Sequence, residues 1–192
     1  MTGFNIHPGG AKDTMINAIA VASEIQSLLP EAESPRNTEG YEGFYHLTSM
    51  SGDLAHAESA YIIRDHDAEK FAAKEENLRR IEKAMNEKYG EGTVKLEIKE
   101  QYRNMAEKIR PCYHLIENAE EAARRAGMEP IVLPIRGGTD GAQLSFMGLP
   151  CPNLGTGGHA YHGPYEHITA EGMDAAVNIT LEIIRLFSQK KV

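Results

Sequence analysis

A short apolar run, Ile131-Val132-Leu133-Pro134-Ile135, constrains the fold of this chain more than any other feature. It is apolar at every position, which is typical of a strand buried on both faces inside a parallel sheet. Such a strand needs neighbouring strands and covering helices. The surrounding residues offer one preceding helix, short apolar pieces and a last helix from about Thr169. We therefore expect residues 110–192 to form an incomplete part of a larger α/β domain.

Residues 1–109 have the pattern of a domain of their own. A strand over Gly3–His7 leads into a helix that ends near Pro30, and two strands, Phe44–Met50 and Ala57–Arg64, follow as a hairpin. A second helix is predicted between an N-cap at Asp67 and a C-cap at Gly90. A last strand is predicted from the alternation of apolar and charged residues at Val94, Leu96 and Ile98.

The resulting order, βαββαβ, favours a ferredoxin-like antiparallel sheet with helices on one face. The predicted fold class is therefore α/β, in the wider sense that includes α+β, with this domain followed by the incomplete α/β portion.

Composition excludes several classes of protein. Hydrophobic residues make up 41% and charged residues 25% of the 192 residues, as in a globular protein. The net charge of -8 and the absence of a basic cluster argue against nucleic acid as a partner. Cys112 and Cys151 form no Cys-x-x-Cys pair, and the chain has neither a signal-like start nor a membrane-length apolar run. We expect a cytoplasmic protein that does not contact the membrane.

Two segments could carry chemistry. The loop Arg136–Gly141 follows the apolar strand, where α/β sheets place ligands, and Arg136 offers a planar fork for a carboxylate. A glycine-rich turn is as often purely structural. Further on, His159, His162 and His167 lie within nine residues together with Glu166. Imidazole is a common metal ligand, but spacing alone does not choose a ligand here, and a surface loop would have the same pattern.

Two further polar positions have open interpretations. His7 lies at a predicted strand end before Pro8-Gly9, where its side chain could donate a hydrogen bond to an oxyanion or simply face solvent. The run Gln101–Asn104 closes the alternating strand and is either a solvated edge or a polar group that reaches a peptide backbone.

Several blocks of the sequence, in the same order and over almost the whole chain, resemble the peptidase T family, which are tripeptide aminopeptidases of the dinuclear-zinc M20 peptidases. These blocks are His7-Pro8-Gly9-x-Ala11-Lys12, Thr38–His46, Tyr61–Asp65, Pro134–Gly141, Leu144–Pro152 and Thr156-Gly157-Gly158. Members of the family have a two-metal catalytic domain interrupted by a lid domain that usually dimerises. The resemblance implies that residues 1–109 are the lid and dimerisation domain, and that residues 110–192 are the C-terminal part of the zinc-peptidase catalytic domain.

The same resemblance implies roles for individual residues. His162, followed four residues later by Glu166, matches the last metal ligand of the family. His7 matches the lid histidine that stabilises the tetrahedral intermediate, and Arg136 and Asn104 match substrate-orienting groups. Two positions depart from the family pattern: this chain has Ala142 where Ser is expected and Tyr161 where Phe is usual.

The implied activity is the release of the N-terminal residue from tripeptides by metal-activated water, with two zinc ions in an intact active site. The other ligands lie in a preceding half that this sequence lacks, so we expect weak or absent zinc binding and no hydrolysis by the chain alone. The expected partners are a short peptide and a second copy of the chain, bound through the lid. Two alternatives are a non-catalytic dimerising or binding module derived from an M20 lid, and an M20 deacylase.

Overall fold

In the computed structural model, which describes residues 1–189, the chain divides into two units. The first unit consists of Met1–Glu100 and a distant segment, Pro134–Gly137. The second consists of Gln101–Leu133 and the residues from Gly138 onward. The first unit is therefore discontinuous in sequence.

Helices and antiparallel strands both occur among residues 1–189. The helices are α1 (Ala18–Leu28), α2 (Ala68–Tyr89), α3 (Ala106–Ile109), α4 (His114–Arg125), α5 (Asp140–Phe146) and α6 (Ala170–Gln189). The strands are β1 (Phe44–Gly52), β2 (Ala57–Arg64), β3 (Gly158–His159) and β4 (His167–Ile168). This mixed content confirms the predicted fold class. Within residues 1–189, no helix is long and apolar enough to cross a bilayer.

The two long helices of the first unit begin where the sequence places a cap. The Asn17 side chain accepts hydrogen bonds from the first amides of α1, and Asp67 does the same for α2. The amide of Lys70 is the main cause of the lowered pKa of Asp67, and the amide of Glu69 adds to it. Gly90 ends α2 with a positive φ of 108°. The predicted bounds of α2 are confirmed.

The core of the first unit lies between these helices and the hairpin of β1 and β2, which pair antiparallel from Phe44 opposite Arg64 to Gly52 opposite Ala57. Burial of each large apolar side chain contributes about 1.5–3 kcal/mol. The buried members of this core are Val21, Ile25, Leu29, Tyr45, Leu78, Ile81, Met85 and Val94.

The strand predicted over Val94–Ile98 does not form, because side chains of α2 take up the backbone groups of this segment. Asn86 accepts from the Val94 amide at 2.8 Å and donates to the Val94 carbonyl at 2.9 Å. Glu82 accepts from the Leu96 amide at 2.6 Å. The Val94 and Leu96 side chains of the segment still pack on the core, but those backbone groups are not left for a neighbouring strand.

The strand predicted over Gly3–His7 is also replaced by isolated hydrogen bonds. Thr2 pairs with His56 and Phe4 with Ile16 as single bridges. The Thr2 amide donates to Thr93 at 2.8 Å. The first unit therefore has a two-stranded sheet rather than the full βαββαβ sheet among its described residues, since its outer segments are held by individual contacts.

The apolar run Ile131–Ile135, expected to be a buried parallel strand, pairs with no strand among residues 1–189. Ile131 and Leu133 are 77% and 71% exposed. A strand of this kind needs partner strands on both sides, and the described residues do not supply them. In the second unit, α4 packs on α6, with the rings of His114 and Phe187 edge to face at 6.4 Å.

Candidate functional site

Arg136 is held by the loop that precedes β1. Its Nη1 donates to the Thr38 carbonyl and its Nη2 to the Thr38 hydroxyl, each at 2.6 Å. Nη2 also donates to the Glu42 carbonyl at 3.0 Å, and the guanidinium lies 5.1 Å from the centre of the Phe44 ring. All four residues belong to the first unit. The side chain is therefore fixed in position and orientation by charge-assisted hydrogen bonds and a cation-π contact.

The guanidinium retains donors that the loop does not use. Arg136 Nε is buried and has no hydrogen-bond partner among the described residues. A carboxylate that approached the Nε edge of the fork would share Nη2 with Glu42 or displace the Glu42 carbonyl. Any carboxylate bound at this edge would therefore have the loop in its environment.

Sequence reasoning missed the part played by this loop. The Thr38 hydroxyl donates to the Ser34 carbonyl at 2.8 Å and also accepts from Arg136. This one side chain therefore links Ser34 to Arg136. At the end of the loop, a Cβ on Gly43 would lie 2.0 Å from Asp65 Oδ2, which explains the need for glycine. No local sequence pattern predicts that Thr38 will accept a hydrogen bond from an arginine 98 positions away.

His7 lies exposed at the start of a 3-10 turn, Pro8–Gly10. Its Nδ1 accepts a hydrogen bond from the Gly9 amide at 3.1 Å. In the neutral imidazole the proton is then on Nε2, which is the state that can donate to an oxyanion. Among the described residues, none is hydrogen-bonded to both His7 and Arg136.

Asn104 is exposed at the start of α3. Its Oδ1 accepts from the Ala106 amide at 3.0 Å, which forms an Asx turn just before the helix.

His162 lies exposed in the loop that joins β3 to β4. Its φ is 64°, a left-handed conformation that is uncommon outside glycine, and its amide donates to Glu166 Oε2 at 2.8 Å. The Glu166 carboxylate thus closes the loop by binding the backbone of His162, which leaves the imidazole available as a ligand. Backbone strain of this kind is often found at functional sites.

A complete metal centre is not formed by the described residues. No group of three or more His, Cys, Asp and Glu side chains converges within residues 1–189. Zinc is usually held by about three or four side chains. These residues therefore offer at most part of a zinc site.

Comparison with known proteins gives consistent relatives. Residues 1–93 match the M20 family described as the peptidase dimerisation domain. The chain is 51% identical over 187 residues to a peptidase T of Clostridium novyi, a match that covers 97% of this chain and 46% of that protein. It is 53% identical over 188 residues to a peptidase T of Caldanaerobacter subterraneus, covering 98% and 46%. The chain thus spans about half the length of the curated relatives it matches.

Two solved structures share the fold. A tripeptidase from Staphylococcus aureus superposes with a TM-score of 0.67 at 18% identity, covering 98% of this chain and 50% of that chain. The aminopeptidase PepT from Bacillus cereus superposes with a TM-score of 0.64 at 19% identity, with the same coverage. At this level of identity the likeness concerns the fold alone.

Proposed function

Because the chain belongs to the peptidase T family of the M20 peptidases, we propose that it supplies part of an aminopeptidase that removes the N-terminal residue from tripeptides. The observation that carries this proposal is the identity of about half of all positions over 97% of the chain with a peptidase T. In this proposal, residues 1–109 are the lid and dimerisation domain and residues 110–192 are the end of the catalytic domain. The protein would act in the cytoplasm, where Cys112 and Cys151 stay as free thiols.

Each candidate residue has a role in this proposal that its contacts allow. His7 donates from Nε2 to the oxyanion that forms on the scissile carbonyl, because Gly9 occupies Nδ1. Arg136, held by Thr38, binds the carboxylate of the peptide. Asn104, which lies just before α3, orients the peptide.

His162 is the one metal ligand that we assign. The residues present do not fit a complete zinc site, since no group of three or more ligands converges within the described part of the chain. The remaining ligands would come from the portion of the peptidase T proteins to which this chain has no counterpart.

The test is tripeptide hydrolysis by the purified chain, first alone and then mixed with the portion of the Clostridium novyi peptidase T that this chain does not match. Zinc, cobalt or manganese is added, with a chelator as control. We expect no turnover by the chain alone and chelator-sensitive turnover by the mixture. Turnover by the chain alone would show that a complete site assembles here and that the ligand assignment is wrong. An inactive mixture that nevertheless forms a complex would overturn the proposed function.

Variants assign the roles within the active mixture. His7→Ala is expected to lower kcat while KM changes little, since the oxyanion forms only during the reaction. Arg136→Lys is expected to raise KM for tripeptides and to leave the turnover of a C-terminally amidated peptide unchanged. Equal losses for free and amidated peptides would show that Arg136 does not bind the peptide carboxylate.

A second function, that of a non-catalytic dimerising module, is favoured by the match of residues 1–93 to the peptidase dimerisation domain. Light scattering coupled to gel filtration measures the assembly. A stable dimer whose mixture with the complementary portion stays inactive would support the module. A monomer would exclude it.

A further inference from the structure

His159 and His167 form a cross-strand pair in the second unit. They lie directly opposite each other where β3 and β4 pair antiparallel. Opposed residues of an antiparallel pair point to the same face, and the two rings stack with centroids 5.3 Å apart and planes 24° apart. Both residues are exposed. The hairpin therefore presents two imidazoles side by side to solvent.

The protonation of His167 is set by a neighbouring carbonyl. Its Nδ1 lies 2.8 Å from the Tyr165 carbonyl oxygen. A carbonyl can only accept, so Nδ1 carries the proton and Nε2 of the neutral ring keeps its lone pair. A ring N–H bound to a backbone carbonyl is also the usual outer contact of a metal-ligating histidine, because it fixes the ring and makes the other nitrogen a better ligand.

We propose that His159 and His167 together bind one divalent transition-metal ion, with water as the remaining ligands. Imidazole nitrogen suits copper, nickel and zinc. Each metal–nitrogen bond is about 2.0–2.1 Å long, and a centroid spacing of 5.3 Å lets both rings reach one ion once the His159 ring turns out of the stack, while His167 stays on the Tyr165 carbonyl. The site uses neither His162 nor the proposed peptidase activity, and it would exist if that activity were absent.

The site has two protein ligands, since no group of three or more converges within residues 1–189. It is therefore an exchanging surface site rather than a structural one. A bound ion would link β3 to β4 and so hold the ends of the loop that carries His162. An ion that binds the folded hairpin but not the unfolded chain also stabilises the hairpin by mass action.

Titration of the untagged chain with Cu²⁺, Ni²⁺ or Zn²⁺ salts, followed by calorimetry, tests the proposal. We expect one ion per chain, with Cu²⁺ bound most tightly. Loss of a group that only supports a ligand costs about 10–100-fold in affinity, so His159→Gln and His167→Gln should each weaken binding by about tenfold or more. His56→Gln, which alters an exposed histidine paired with Glu58, should have no effect.

Imidazole nitrogen resonances give a second measurement that does not depend on affinity. On addition of Zn²⁺ the Nε2 signal of His167 and a ring nitrogen signal of His159 should shift together. Unchanged affinity in both variants would overturn the proposal. So would a loss in His162→Gln as large as in the two variants, because the ion would then belong to His162.

Discussion

Thr38 and Arg136 lie 98 positions apart in the sequence and are joined by two hydrogen bonds of 2.6 Å each. One bond uses the Thr38 carbonyl and the other its hydroxyl. The hydroxyl also donates to Ser34 at 2.8 Å, so its replacement would disturb both sides of the contact. The loop before β1 therefore fixes the arginine that we assign to the peptide carboxylate.

Replacement of Thr38 should separate the contribution of its hydroxyl to stability from that of its backbone carbonyl. Thr38→Val removes the acceptor for Nη2 at nearly constant volume, and hydrogen bonds to charged groups contribute about 1.5–3 kcal/mol. We expect the free energy of unfolding, measured by urea denaturation with circular dichroism, to fall by about 1–2 kcal/mol. Thr38→Ser keeps the hydroxyl and should lose much less. Equal losses for the two variants would show that the methyl group, not the hydroxyl, stabilises the loop.

Asn86 should be necessary for the extended segment after α2. Asn86→Ala leaves the amide and carbonyl of Val94, a residue only 7% exposed, without these partners. An unsatisfied buried group costs about 1–3 kcal/mol, and hydrogen exchange at the Val94 amide should accelerate. Asn178→Ala, at an exposed position of α6, is the matched control and should change little. Retained protection at Val94 in Asn86→Ala would contradict this account.

Glu24 should link stability to pH. Lys88 Nζ donates to it at 2.6 Å and the Tyr89 hydroxyl at 2.5 Å; the Lys88 bond, then the Tyr89 bond, lowers the pKa of Glu24 below its ordinary value of 4.5. Because the folded pKa is the lower one, the stabilisation is complete above about pH 4.5 and is lost as the pH falls through the folded pKa.

The variant Glu24→Gln measures this contribution. Its deficit in unfolding free energy should be largest near neutral pH and should shrink as the pH falls below 4.5. Glu91→Gln, at an exposed position after α2, should show no such trend. A deficit that stays constant with pH would mean that the carboxylate charge is not the stabilising feature.

The two adjacent glycines after Arg136 should respond differently to the same change. A Cβ on Gly138 would lie 2.1 Å from Tyr102 Cδ2, whereas a Cβ on Gly137 meets nothing within 4 Å. Gly138→Ala must displace the Tyr102 ring and should destabilise the protein by about 1–3 kcal/mol, as overpacking does. Both variants are measured by thermal unfolding, in which Gly137→Ala should leave the melting temperature nearly unchanged. Similar melting temperatures for both variants would show that the ring moves without cost.

Local signals explain which elements could be predicted from the sequence. The α2 helix begins and ends at Asp67 and Gly90 as expected, because caps act on their own turn. The strand expected at Val94 fails for a non-local reason: Asn86 and Glu82 reach its segment from a helix, and alternation of side chains says nothing about the partner of the backbone. The short helix α5 was not predicted, since its seven residues follow a glycine-rich loop.

The candidate site divides in the same way. The resemblance that singles out His7, Arg136, Asn104 and His162 is a matter of ordered motifs, and their roles stay predictions. The stacking of His159 on His167 depends on the register of β3 and β4, which the spacing of the histidines does not determine.

The discontinuity of the first unit bears on how the protein is made. A ribosome releases Met1–Glu100 first and Pro134–Gly137 only after the intervening residues. Until then, the Arg136 guanidinium that donates to the Thr38 and Glu42 carbonyls has not been synthesised. A stop codon before residue 134 would leave the loop permanently without the Arg136 side chain.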